Sequence, residues 1–306
     1  MPDVNDIRFN VKESINIAHH FNFIPTSLNK KLRNQFRFQE RMSTMKHAIK
    51  IAITYEKGGC GKTTTAVNLS SILGERGYKV LLVDLDFQSY ATSYFDLYND
   101  NKNSINEVMN GTCSAQDAII DTSYKNLSLL PSKYQFKGIE TVLMQKTRRQ
   151  EYTLATVLSP IENDYDFIIL DCPPNGERIK ENALVYSNYL ILPAIPDDYA
   201  MHGLMCIYQE VTELKRFVKP DIEILGILIT LYEKNNNKSA YTEYLQNQND
   251  IPCFKTIIRK NTTLSEAINH SRPINYYRRS SNGNTDYNNL CDEMLTKLGK
   301  NLTVQI

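Results

Sequence analysis

Apolar residues along this chain follow two rhythms: short continuous runs, and stretches in which they recur every three or four positions. Ile49, Ile51, Ala52 and Ile53 make the first run, which reads as a strand buried on both faces. Gly58, Gly59 and Gly61 then break the chain, and Ala66, Leu69, Ile72 and Leu73 resume at helical spacing. Further runs at 79–84, 167–171, 189–193 and 225–230 read as buried strands. Thr153 to Leu158 reads as a helix, and Tyr287, Leu290, Met294 and Leu298 recur at helical spacing near the end. At 306 residues the chain can bury a full core and suits one large α/β domain, 48–306, with an appendage at 1–47.

The first break carries the clearest chemistry. A strand, a glycine loop and a helix start make the setting of a phosphate-binding loop. Glycines let backbone N–H groups turn inward on a phosphate, and the helix N-terminus adds partial positive charge. Lys62 is placed to reach the β- and γ-phosphates, and the Thr63 hydroxyl to ligate Mg²⁺. Two later runs close on acids. Asp84 and Asp86 lie two apart, so on an extended strand both point to one side, toward the ligand crevice of an open sheet. Asp171 ends the run Phe167-Ile168-Ile169-Leu170 and is followed by Cys172-Pro173-Pro174, the position of a Walker B acid.

The standard loop has a glycine where this chain has Glu56. The string Lys57-Gly58-Gly59-Cys60-Gly61-Lys62-Thr63-Thr64 instead resembles the deviant Walker A loop of the ParA/MinD ATPases. Val83-Asp84-Leu85-Asp86-Phe87-Gln88-Ser89-Tyr90-Ala91-Thr92 resembles that family's second motif, with Phe87, Ser89 and Tyr90 in place of its Pro, Gly and Asn. Leu170-Asp171-Cys172-Pro173-Pro174 matches a third hallmark, and Thr256 to Ala267 a fourth segment, which in relatives borders the adenine. Ser104 to Met109 and Ala118 to Ile120 resemble the small helices that precede a strand, here Leu127–Pro131.

The resemblance, over about 48–302, implies a mostly parallel twisted sheet flanked by helices, in a P-loop NTPase of the deviant Walker type. It implies ATP and Mg²⁺ as cofactors, a weak ATPase unless stimulated, and a homodimer when ATP is bound. Lys57 is then the signature lysine that crosses to the partner's nucleotide. Asp86 positions the attacking water, and Thr63, Asp84 and Asp171 form the metal shell. Lys57 to Thr64, with Arg259 and Asn261, bind the nucleotide. The same resemblance implies non-specific DNA binding, a centromere-bound ParB-like partner, no membrane, and a cytoplasmic, nucleoid-associated protein. A MinD-like membrane-cycling ATPase remains an alternative, although the last helix lacks a basic amphipathic face. An iron-protein relative would need cluster-holding cysteines, and none of the six forms a Cys-x-x-Cys pair.

Net charge is only +1, so any surface for DNA must be local. Residues 255–279 carry six Lys/Arg against one acid: Arg259, Lys260, Arg272, Arg278 and Arg279 with Lys255. They read either as a DNA face or as a solvated surface. Lys234 and Lys238 flank Asn235, where relatives hold an arginine important for DNA. Residues 1–47 carry eight Lys/Arg against four Asp/Glu, with Arg33, Arg37 and Arg41 in a helical stripe. That extension is compatible with a helix-turn-helix, and so with an autorepressor role, or with an arm packed on the body or a dimer mate. Scattered cysteines suggest reduced thiols, and residues 1–20 hold too many charges for a signal peptide.

Overall fold

The computed structural model describes residues 48–146, 149–247 and 251–304, with the side chains of 135, 137, 198–202, 236 and 300–304 left aside. The extension at 1–47, with Arg33, Arg37 and Arg41, lies outside the described residues. Residues 46–294 form one compact unit. The second unit, 1–45 with 295–306, enters the described residues only as the end of the last helix.

The expected alternation is present. β1 (Ile49–Ile53) leads through the glycine loop into α1 (Lys62–Glu75), and then β2 (Val80–Asp84) follows. β3 (Ile120–Asp121) and β4 (Leu127–Leu130) precede β5 (Phe167–Asp171), α2 (Glu177–Tyr186) and β6 (Tyr189–Ala194). α3 (Asp198–Phe217), β7 (Glu223–Tyr232), α4 (Asn236–Asn247) and β8 (Cys253–Arg259) come next. Short helices, α5 (Thr262–Asn269) among them, and the long α6 (Asn282–Val304) complete the chain.

These strands form one eight-stranded sheet in the order β3-β4-β2-β5-β1-β6-β7-β8. All pairings are parallel except β3 with β4. β2, β5 and β6 are buried along their whole length, which is why they read as continuous apolar runs rather than alternations. From β1 the chain crosses to β2 on one side and later to β6 on the other. That reversal opens a crevice at the carboxyl ends of the central strands.

α1 sits against this crevice and is hydrophobic or bonded nearly all round. Leu69, Ile72 and Leu73 are buried as expected, but so are Thr65, Asn68 and Ser71. The Asn68 carboxamide oxygen accepts the Ile274 N–H at 2.7 Å, and Ser71 donates to Asn275 at 2.9 Å. Asn68 and Ser71 are thus paired by the C-terminal segment, whereas the buried Ser70 hydroxyl has no partner among the described residues. Short helices at Ile105–Asn110 and Ala115–Ala118 occupy the stretch before β4. The first opens with a capping box, Ser104 against Glu107, legible in the spacing.

Candidate nucleotide site

The loop between β1 and α1 needs glycine. Gly59 and Gly61 have φ of +72° and +86°, a region that side-chain-bearing residues avoid. Gly61 is the residue at which α1 begins, and Thr65 N–H donates to its carbonyl at 2.9 Å. A Cβ added at Gly58 or Gly59 would meet no atom within 4 Å, so the loop is an open cradle there rather than a packed turn. Thr230, at the end of β7, donates from its hydroxyl to the Cys60 carbonyl at 2.7 Å and pins the loop from behind. Sequence spacing gave no signal for that contact, because it joins residues 170 positions apart.

Lys62 is only 7% exposed, and its Nζ donates to the Lys57 carbonyl at 3.0 Å. The ammonium is therefore folded over the loop it would serve. Lys57 points elsewhere. Its Nζ pairs with Asp197 at 2.5 Å, just before α3.

Asp84 and Asp171 stand opposite each other, in register on neighbouring strands, and both are fully buried. Their bonding is opposite. One Asp84 oxygen accepts the Asp86 N–H, and the other accepts both the N–H and the hydroxyl of Thr92. Neither Asp171 oxygen accepts a hydrogen bond among the described residues. Burial, then the Asp84 carboxylate, push the Asp171 pKa well above the usual range; the nearby Thr63 hydroxyl and Lys62 oppose the shift. Burial likewise raises Asp84. A buried carboxylate whose oxygens accept no hydrogen bond, beside a second acid and a threonine hydroxyl, is a set of hard oxygen donors suited to a divalent cation. The residues present therefore fit a magnesium ion, with Thr63, Asp84 and Asp171 as the groups to hold it.

Asp86 differs from the simple period-two reading. β2 stops at Asp84, and a turn in which Asp86 accepts the Gln88 N–H at 2.9 Å swings Asp86 into the cavity wall. Asp84 stays beneath, holding the turn. Burial raises the Asp86 pKa, opposed by the Gln88 N–H and Lys62.

Asp86, but neither Asp84 nor Asp171, lines a cavity of about 880 Å³. Its lining joins Gly58 to Thr64 (Cys60 excepted), Asp86 and Gln88 to an apolar wall of Ile258, Leu264 and Ile268, with Lys260 and Asn261. That wall is the segment expected to border the adenine. Tyr94 and Tyr287 also line the cavity and carried no chemical signal in the sequence.

Other proposed cations are engaged elsewhere. Arg259 does not line the cavity; its guanidinium holds Asp286, with Nη2 to Oδ1 at 2.6 Å and Nε to Oδ2 at 3.0 Å. Asn261 caps α5 by accepting the Thr263 N–H. Lys260 and Lys238 share Glu233, and Arg279 pairs with Glu75. Arg272, Arg278 and Lys234 are exposed and make no ion pair among the described residues.

A family model described as an AAA domain matches residues 48–224. The sporulation initiation inhibitor protein Soj of Bacillus subtilis is 34% identical over 246 residues, covering 80% of this chain and 97% of that protein. The chain belongs to the ParA/Soj family of partition ATPases. Among solved structures, a putative plasmid partition protein from Borrelia burgdorferi bound to AMPPNP matches with a TM-score of 0.70 at 26% identity, covering 83% of this chain and 99% of that one. Cobyrinic acid a,c-diamide synthase from Mycobacterium smegmatis, with bound ATP analog and magnesium, matches at 0.72 and 27%, covering 81% and 94%. These neighbours share one P-loop scaffold across different tasks, and the scaffold alone does not choose between them. No helix among the described residues is long and apolar enough to cross a membrane.

Proposed function

We propose that this chain is an ATP-driven DNA-segregation switch of the ParA type. One observation carries the reading. The glycine cradle, the folded-over Lys62 and the cavity-facing Asp86 line a single cavity together with the apolar Ile258, Leu264 and Ile268, which suit a base, while the bare Asp171 lies buried at the end of β5. ATP would lie with its phosphates on the backbone N–H groups of 58–63 and its base against Ile258 and Leu264. Lys62 would neutralise the β- and γ-phosphates, and Asp86 would orient water for in-line attack on the γ-phosphate. Magnesium, when bound, supplies charge neutralisation on the phosphates and would be held by Thr63, Asp84 and Asp171.

Lys57 would leave Asp197 to reach the nucleotide of a second copy, making hydrolysis depend on dimerisation. A cation supplied across an interface is worth about 10³–10⁵ in rate in related nucleotidases. Basal turnover is therefore slow, and a centromere-bound ParB-like partner accelerates it. The ATP homodimer would hold DNA through phosphate contacts without sequence preference, in the cytoplasm on the nucleoid, and release it after hydrolysis. Residues 1–47 would add contacts to DNA or to the dimer mate.

The test is binding of the Asp86→Ala protein to random-sequence duplex with ATP, with ADP and with neither, across a salt series. Binding only with ATP, weakening steeply with salt, is expected. Equal binding in all three states would overturn the nucleotide switch, and binding to anionic vesicles instead of DNA would replace this reading with a membrane-cycling one.

A further inference from the structure

Thr230 and Leu231 both border the nucleotide cavity, although they are neighbours near the end of β7. Successive side chains of a strand point to opposite faces, so a regular strand would show the cavity only one of them. Leu231 breaks the alternation. Its φ is +48°, in the left-handed region that residues with a side chain rarely enter. From Ile229 to Tyr232, β7 takes three steps while β8 takes two, Ile257 to Arg259, the mark of a bulge. The bulge is held from outside: the Lys238 ammonium donates to the Leu231 carbonyl at 3.4 Å, and the Lys260 N–H to the Tyr232 carbonyl at 3.0 Å. Backbone of this kind persists where its surroundings fix it, and it collects at functional sites.

The bulge sets where Thr230 points. Thr230 is buried, and its hydroxyl donates to the Cys60 carbonyl at 2.7 Å, with the Ala194 carbonyl as a longer alternative at 3.3 Å. Its methyl group lies under the loop, where a Cβ added at Gly61 would come 3.9 Å from Thr230 Cβ and Cγ2. Other loop carbonyls are bonded locally. Lys57 accepts from Cys60 Sγ and Lys62 Nζ, and Gly61 from the Thr65 N–H. The Cys60 carbonyl is instead held from β7. In a trans peptide the C=O and the following N–H point opposite ways, so fixing the Cys60 carbonyl also fixes the direction of the Gly61 N–H.

We propose that Thr230 is a positioning residue for the ATPase reaction. Through its hydroxyl it orients the Cys60–Gly61 peptide so that the Gly61 N–H is presented to the phosphates, and the Leu231 bulge keeps the hydroxyl at that carbonyl. The role rests on the ATPase reading above. Without the hydroxyl, the peptide has to be oriented by the nucleotide itself at the moment of binding, which costs affinity for the phosphates and not for the base.

The full chain, as wild type and as Thr230 variants, is titrated by calorimetry with ADP and with AMP in the presence of magnesium, and is unfolded thermally without nucleotide. ADP has a phosphate for the loop that AMP lacks. Thr230→Val keeps the shape and removes the hydroxyl. It should weaken ADP binding by about tenfold, the worth of one hydrogen bond, and leave AMP binding nearly unchanged. Thr230→Ser keeps the hydroxyl and should restore the wild-type preference for ADP. Thr230→Ala carries the same comparison should the valine variant fail to fold. A lower unfolding temperature with the ratio of ADP to AMP affinity unchanged would reduce Thr230 to a packing residue and overturn the proposal. So would a serine variant that behaves like valine, because the methyl group would then be what matters. A wild type that binds neither nucleotide sinks the ATPase reading itself, whereas tight ADP binding by wild type and valine variant alike sinks only the role of Thr230.

Discussion

Lys62 and Arg259 are both cations that the sequence assigns to a nucleotide, and the fold treats them differently. Lys62 is held by its own loop: backbone geometry within five residues buries it and gives it a carbonyl, not a carboxylate, as partner. Arg259 sits in a segment rich in positive charge, yet its guanidinium is taken by Asp286, which is 4% exposed. Lys260 and Arg279 are likewise paired with acids, Glu233 and Glu75, distant in sequence. Within the loop motif, Lys62 is placed by local backbone turns and keeps its charge available, whereas Lys57 is held by the distant Asp197. A cluster of cations does not keep its charge in this way, because distant acids decide how much of it faces solvent.

Breaking the loop should have the largest effect. Lys62→Ala removes the ammonium that neutralises the phosphates, and truncating one partner of a buried charge contact costs about 2–5 kcal/mol. Isothermal titration should show nucleotide affinity falling by that amount, with the fold intact by circular dichroism. Unchanged affinity would remove the loop's central cation from the argument. Arg259→Ala should act on stability instead. It strips a nearly buried carboxylate of its guanidinium, at about 2 kcal/mol, so thermal unfolding should come about 5 °C lower. Nucleotide affinity should hardly move, and a large loss there would show that Arg259 swings into the cavity when ATP binds.

Much of this was legible in the sequence because it is local. Parallel strands covered on both faces read as continuous apolar runs, and β2, β5 and β6 are of that kind. The loop glycines and the capping box at Ser104 depend on spacings of a few residues. The two-residue β3 has no such pattern, and contacts such as Thr230 to Cys60 depend on topology. Glu140 is a similar case: its carboxylate accepts the N–H groups of Arg178 and Ile179 and so caps α2. Nothing near Glu140 in sequence announces that role. Ser89 lies between the two classes. It replaces a family glycine, and the structure holds it at φ +56°, buried, in the left-handed region. Ser89→Gly should therefore relieve backbone strain and stabilise the chain by about 1 kcal/mol, read as a raised denaturation midpoint. A loss of stability would mean that the Ser89 hydroxyl bond to the Phe87 carbonyl outweighs the strain.

The smallest expected effect sharpens the comparison most. Arg278 is exposed over the Tyr277 ring, 5.8 Å from its centroid, and no acid among the described residues claims it. If free cations rather than total charge make the DNA face, Arg278→Ala should leave thermal stability unchanged. It should lower the slope of log affinity against log salt by about 0.9, the effect of one phosphate contact. Arg279, held by Glu75, gives the contrast: its alanine variant should change stability and leave the slope alone. Equal slope changes in both variants would mean that the Glu75 pair opens on DNA, and total charge would then count after all. No slope change in either would move the DNA face away from 255–279, toward Lys234 on the β7–α4 loop or toward Arg33 and Arg37 in the extension.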